Sequence, residues 1–446
     1  MSAPQPGALA AGAEERARAN GEAARRICES EPVLVDLRPA IEVVPGMTPT
    51  TILTSGPPLP ASAYTGGQRR AILYGAVFEG LARDLDDAEE RLRSGEIVVS
   101  NCHAHGCVGS VAGIYTASMP VFVVENRAFG NRSFCNLYEG ESRRRLNYGS
   151  YDEGVREGLL FLEGVLAPVL AAAVRRAGGL PLNPIIRRAI HMGDELHSRN
   201  TAATTLFVKA LQGHLLELGI EGELDLADLR AALAFLDASD YFFLRLSMAA
   251  AKAAADAAHG VAGSSVVTAM TLSCRGFALR VSGIPDEWFE GPHAVVEAQL
   301  FDGHTPDDIE WIGGESRITE TVGLGGFCQA AAFALQAYQG GSPAAMAELN
   351  EAMYRITVAE HPHFRIPYFG YRGTPVGIDV FKVLETGILP AIDGGLAGRD
   401  GGQIGAGILR APIECFERAA RALGGGGSDG RGSGASVERA RGSRPG

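Results

Sequence analysis

Paired cysteines are missing from this 446-residue chain. Its seven cysteines, Cys28, Cys102, Cys107, Cys135, Cys274, Cys328 and Cys415, are odd in number and scattered, with no CxxC among them. That pattern excludes a disulfide framework or a zinc ribbon and fits a reducing compartment. Excess positive charge is missing as well. The formal charge is −12, and the arginine-bearing end from Gly425 onward contributes +2 of its own, which leaves −14 on the rest. So acidic a body is a poor non-specific binder of nucleic acid or of a membrane, yet it is compatible with a local cationic pocket for a small anion. Met1 to Ala13 has neither the basic start nor the apolar core of a signal peptide. The most apolar run, Gly158 to Val174, is interrupted by Glu163 and Pro168, and reads as too short and too polar to span a bilayer. The expected location is the cytoplasm, with no nucleic-acid or membrane partner. No internal repeat, Walker A loop, HExxH motif or GxGxxG after a strand occurs.

What is present is the composition of a globular protein, 46% hydrophobic and 21% charged, long enough for two or three domains. Residues 1–30 read as a helical or flexible extension, with helix up to about Cys28. From 31 to 152 strand and helix alternate. Val33–Leu37, Ile52–Thr54, Ile97–Val99 and Val121–Val124 look like strands, and Gly67–Asp84 and Asp86–Arg93 like helices. Residues 153–262 are nearly all helix-compatible, over Val155–Arg176, Asn183–Leu218 and Leu224–His259. Strand character returns in 263–423, where Ser265–Leu272 and Phe277–Val281 read as a hairpin and Ala344–Glu360 and Ile413–Leu423 as helices. Residues 424–446 are low-complexity and expected to be disordered. The expected fold is a mixed, multi-domain α+β or α/β protein, with mixed-sheet parts flanking an inserted mainly helical domain.

Four clusters can carry chemistry. The loop after the third strand packs Cys102, His103, His105 and Cys107 among glycines. A histidine at a strand end can contact substrate, and four soft ligands can bind zinc, although this spacing matches no standard site. Glu125-Asn126 followed by Asn131-Arg132 can grip an amide and a carboxylate, unless Glu125 and Arg132 neutralise each other. The stretch His191 to Asn200, read as helix, would place His191, Asp194 and His197 near one face, with Glu195 and Arg199 on another. It is either an active-site wall or a buried polar seam. Thr319-Glu320 with Gly325-Gly326 precedes a helical stretch, Phe327–Gln339, whose start would favour an anion, and Gln403 to Arg410 forms a further glycine-rich segment. Plain tight turns are the alternative for each.

These stretches also carry a resemblance. TSGPP near Gly56, the Cys102-His103 loop, TASMP through Glu125-Asn126, GNR, HMGDE with HxRN, SxVTAMT, RVSG, ITET with GxGG, ETGI and GQIGAG with RAP are similar to a family long labelled a domain of unknown function. That family includes the large subunit of oxamate carbamoyltransferase from anaerobic allantoin degradation, and the likeness runs from about Pro32 to Gly424. It implies carbamoyl transfer between phosphate, or carbamoyl phosphate, and the amide nitrogen of oxamate or a related ureide. It also implies companion carbamoyltransferase subunits, an oligomer, and a small anionic substrate. Phosphate itself attacks, so no cofactor is expected and a divalent metal is not favoured. On this resemblance Arg132, Arg199, Arg280 and Arg410 become anion-clamp candidates. His103 or His197 would move the proton, Asp194 and Glu125 would orient them, and Asn126, Asn131, Asn200, Thr319, Glu320, Gly325, Gly326 and Gln403 would contact substrate. A ureide or cyclic-amide hydrolase and a non-catalytic scaffold subunit are the alternatives.

Overall fold

The structure, a computed structural model, describes residues 6–424. The expected disordered tail therefore lies outside the described residues, apart from its first residue, Gly424, which ends a helix. Helices and several small sheets share the chain. The first sheet has five strands in the order Cys107–Val108, Arg132–Asn136, Pro120–Asn126, Pro32–Pro39 and Leu180–Pro181. Its central strand, PVFVVEN, is apolar without alternation because both of its faces are covered. One cover is the helix Leu244–Ala257, in which only the last two residues escape full burial. Its alanines let backbone approach backbone: Ser133 Oγ donates to Ala249 O at 2.7 Å and Asn131 Nδ2 to Ala253 O at 2.9 Å.

A parallel pair, Thr51–Thr54 with Val98–Asn101, stands beside this sheet and launches the Gly56 and Cys102 loops. The expected hairpin is present and extended by a third strand, as Val267–Ser273, Gly276–Val281 and Ile284–Gly291. A second three-stranded antiparallel sheet joins Val295–Leu300, Gln403–Arg410 and Ala391–Ala397. One apolar core draws residues from Ala23 through Ala397, and another gathers beneath the last two sheets and the helix Ile413–Gly424.

Four local expectations change. Glu153–Arg176 is one continuous 24-residue helical run, long and apolar enough to cross a membrane by length and composition. It is not too short, as its sequence suggested. Half of its apolar window is buried inside the protein, against the strand Pro32–Pro39 and the helix Thr201–Glu221. Asn183–Leu218 is broken: a helix ends at His191 and the next starts at Thr201. Gly193 and Leu196 between them hold φ of +100° and +71°, which no helix accommodates. Residues 327–339 form a chain of single turns rather than one helix. Finally, the helix Pro343–Tyr354 gives way to a strand from Thr357, where Ile356-Thr357-Val358 are β-branched.

Candidate functional site

Loops from both halves of the chain close around a cavity of about 290 Å³. Its walls come from the segment Tyr138–Tyr148, the start of the buried helix Leu244–Ala257, the loop Ile309–Arg317, and the strands Ala391–Ala397 and Gln403–Arg410. His197 and Ser198 enter from the loop after His191. The volume suits a small ligand.

Three arginines line it: Arg145, Arg245 and Arg317. Among the described residues none has a carboxylate within 4 Å, and the Nε of each is buried without a partner. Arg245 and Arg317 are only 4% and 5% exposed. Arg245 donates to Asn136 Oδ1 at 3.0 Å, Arg317 to Gly314 O at 2.9 Å, and Arg145 lies over the Tyr148 ring. Burial pushes the Arg317 guanidinium down to about 10. Buried cations are ordinarily paired, so two buried arginines and one partly buried, none with a carboxylate partner among the described residues, make this cavity a candidate anion site. The nearby carboxylates are taken. Glu310 pairs with Arg70 at 2.7 Å, and Glu139 accepts from Leu146 N, Asn147 N and Asn147 Nδ2. Gly313 and Gly314, at φ of +126° and +140°, let this loop pass where a side chain would strike Ser55 Oγ or Arg317 Nη1.

His197 is the cavity group placed to move a proton. Its Nδ1 meets Glu320 Oε1 at 2.7 Å. Glu320 is fully buried and also accepts from Gly326 N, Asp393 N and Thr319 Oγ1. A carboxylate so surrounded by donors only accepts, so Nδ1 carries the hydrogen and Nε2 keeps its lone pair. Glu195 holds the loop itself, its oxygens taking the backbone N–H groups of His197, Ser198 and Arg199. Gly325 is required: a Cβ there would run into the Glu320 carboxylate and approach the His197 Cβ to 3.0 Å.

The residues singled out in the sequence divide into groups. His197, Glu320, Thr319, Gly325, Gly326 and Gln403 lie at or directly behind the cavity. Asn200 braces the loop through His197 O, and Asp194 caps the following helix through Ala203 N. Burial pushes the Asp194 carboxyl up to about 6. Arg199 turns to Gly193 O and Asp194 and does not line the cavity. Glu125 and Arg132 are cross-strand partners, 3.1 Å apart on the surface, so the pair neutralises itself. Asn126 and Asn131 donate to Ala253 O, Arg410 pairs with Glu297, and none of these reaches the cavity. His103 and Arg280 belong to a separate buried cluster with Glu315, Lys252, Asp256 and Trp288. A single site made of all four sequence clusters therefore does not form. Among the described residues no group of His, Cys, Asp and Glu is arranged to hold a metal.

The family model described as "Oxamate carbamoyltransferase subunit AllG" matches residues 97–316. The Escherichia coli protein "Oxamate carbamoyltransferase subunit AllG" is 37% identical over 91% of this chain and 97% of its own length. This chain belongs to that family. A second E. coli relative, "Uncharacterized protein YahG", is 42% identical over 91% of this chain and 86% of its own. A solved structure, that of a conserved protein of unknown function from Enterococcus faecalis V583, superimposes with a TM-score of 0.89. It shares 40% identity and covers 95% of this chain and 99% of its own.

Sequence reasoning missed the three cavity arginines of this AllG-family chain. One signal was available for Arg245: a lone arginine in the otherwise mostly apolar run FFLRLSMAAA, which enters a buried helix. Another was available for Arg317, which follows Gly313-Gly314 in the order GGESR. Arg145 stands among three consecutive arginines, and nothing in the sequence separates it from Arg143 and Arg144.

Proposed function

We propose that this chain is a carbamoyltransferase subunit whose cavity transfers a carbamoyl group between phosphate and the amide nitrogen of oxamate or a related small ureide. The observation that carries the reading is the set of three arginines without carboxylate partners around one cavity that His197 also lines. Two anions, phosphate and a carboxylate bearing an adjacent amide carbonyl, must be held side by side for this chemistry. Arg245 and Arg317 come from different elements and can grip separate groups, while Arg145 and Tyr138 close the other wall. Gly313 and Gly314 run along the cavity, where the lack of side chains lets the backbone lie close to a substrate, although the Gly314 N–H is already given to Leu272 O and Ser55 Oγ.

In the catabolic direction a phosphate oxygen attacks the ureido carbonyl carbon of oxalurate. The new C–O bond forms and the bond from that carbon to the amide nitrogen breaks. His197 Nε2 takes the phosphate proton and gives it to the leaving nitrogen, so oxamate and carbamoyl phosphate result with charge and atoms conserved. Glu320 keeps the ring oriented and steadies its cationic form between the two transfers. The E. coli relative's name as a subunit supports companion chains for the full activity.

The test is phosphate-dependent cleavage of oxalurate by the purified chain together with the products of its neighbouring genes, following carbamoyl phosphate. Turnover that requires phosphate and is lost in His197→Asn upholds the reading. Cleavage without phosphate makes the protein a hydrolase. No turnover in any mixture removes oxamate and its ureide as substrates.

A further inference from the structure

Behind His197 lies a pair of acids that the mechanism above leaves unused. Glu195 and Asp393 are both fully buried, and their carboxyl groups lie against each other. Glu195 already receives the backbone N–H groups of residues 197–199. Asp393 Oδ1 receives the side-chain amides of Gln329 and Gln339. Asp393 Oδ2 is buried and has no donor. No lysine, arginine or backbone N–H fills that position. The Glu195 carboxyl beside it becomes a donor once protonated.

We propose that Glu195 and Asp393 share one proton, and that this acid pair is the positioning element that holds the loop 194–199, and with it His197 and Ser198, at the cavity. The proton joins the loop to the strand Ala391–Ala397, which lines the cavity through Gly394 to Ala397. That same strand fixes Glu320 through Asp393 N, so the pair locks the histidine and its carboxylate partner into one unit. Without the proton, two negative charges face each other in a buried site and the loop must move. Burial pushes both carboxyls up, joined by the charge of Asp393 at Glu195 and by that of Glu320 at Asp393, in the direction that retains the proton. The other titratable groups facing the pair are His197, Glu320, Cys328 and Tyr241. Leu196, at the centre of the loop, is held at φ +71°, a conformation that persists where the surroundings impose it.

The inference deepens the role given to His197, yet its test does not depend on turnover. Infrared spectra of the purified full chain at neutral pH report the carbonyl stretch of protonated carboxyls, and nitrogen NMR reports the tautomer of His197. The native chain is expected to show a protonated-carboxyl band that disappears in both Glu195→Gln and Asp393→Asn. It should persist in Glu315→Gln, which removes a different protonated carboxyl. As the pH is raised, the band should vanish together with a change in the His197 signal. In Glu195→Gln, whose amide donates to Asp393 permanently, the His197 signal should no longer follow that titration. A band unaltered by either substitution overturns the shared proton. A His197 signal that titrates identically in Glu195→Gln overturns the positioning role. Failure of the oxalurate assay with these spectra as expected would remove the substrate and leave the acid pair in place.

Discussion

Replacing Arg317 by methionine should separate ligand binding from stability. The guanidinium is buried, has no carboxylate within 4 Å, and makes one hydrogen bond, to Gly314 O. That carbonyl also accepts from Leu272 N at 2.9 Å and Thr271 Oγ1 at 3.4 Å, so the substitution orphans no acceptor. Methionine fills a similar volume and removes a charge whose burial is its largest perturbation. Attraction from Glu320 and Glu315 is lost, but it is the smaller effect. Stability should stay level or rise. A hydrogen bond to a charged group contributes about 1.5–3 kcal/mol, so affinity for phosphate or oxamate should fall roughly ten- to hundredfold. Calorimetric titration of each anion gives the affinity, and urea unfolding of the free protein gives the stability. A variant that loses about 2 kcal/mol or more of stability while binding phosphate as before would refute the argument, because removal of a paired, structural arginine behaves that way.

Other consequences are open to measurement. His197→Asn should lower turnover by about 10²- to 10⁴-fold, the usual worth of a general acid–base, while anion affinity measured by calorimetry changes little. Gly325→Ala should destabilise by at least about 1–2 kcal/mol from its φ of +59°, and should also cut turnover, because the new methyl collides with Glu320. Glu315 is pushed up to about 8 by burial, from an ordinary 4.5. A raised folded-state value means that the fold binds the proton more tightly than the unfolded chain. Its contribution is therefore complete below 4.5 and is lost as pH rises through about 8, and Glu315→Gln should flatten that decline in Tm. Arg132→Ala should change turnover not at all and stability by less than about 0.5 kcal/mol, since its partner Glu125 is on the surface.

The sequence by itself determined the local elements and the family. Apolar runs such as Val121–Val124 and capped helices such as Leu85–Ser94, with Asp84 at one end and Gly95 at the other, report their structure through neighbours a few residues away. Half of the site was legible in the same way, because His197, Glu320 and Gly325 stand in dense polar or glycine-rich motifs. Which charges are free was decided only in three dimensions. Arg132 looked available until the antiparallel register set it opposite Glu125. Arg410 looked available until pairing with the strand Val295–Leu300 brought Glu297 to it. Arg145, Arg245 and Arg317 looked ordinary, and become candidate anion ligands because segments up to 172 residues apart fold so that no carboxylate of the described residues comes within 4 Å of them. Whether a charge is neutralised depends on what lies within a few ångströms of it, and in a folded chain those neighbours come from anywhere in the sequence.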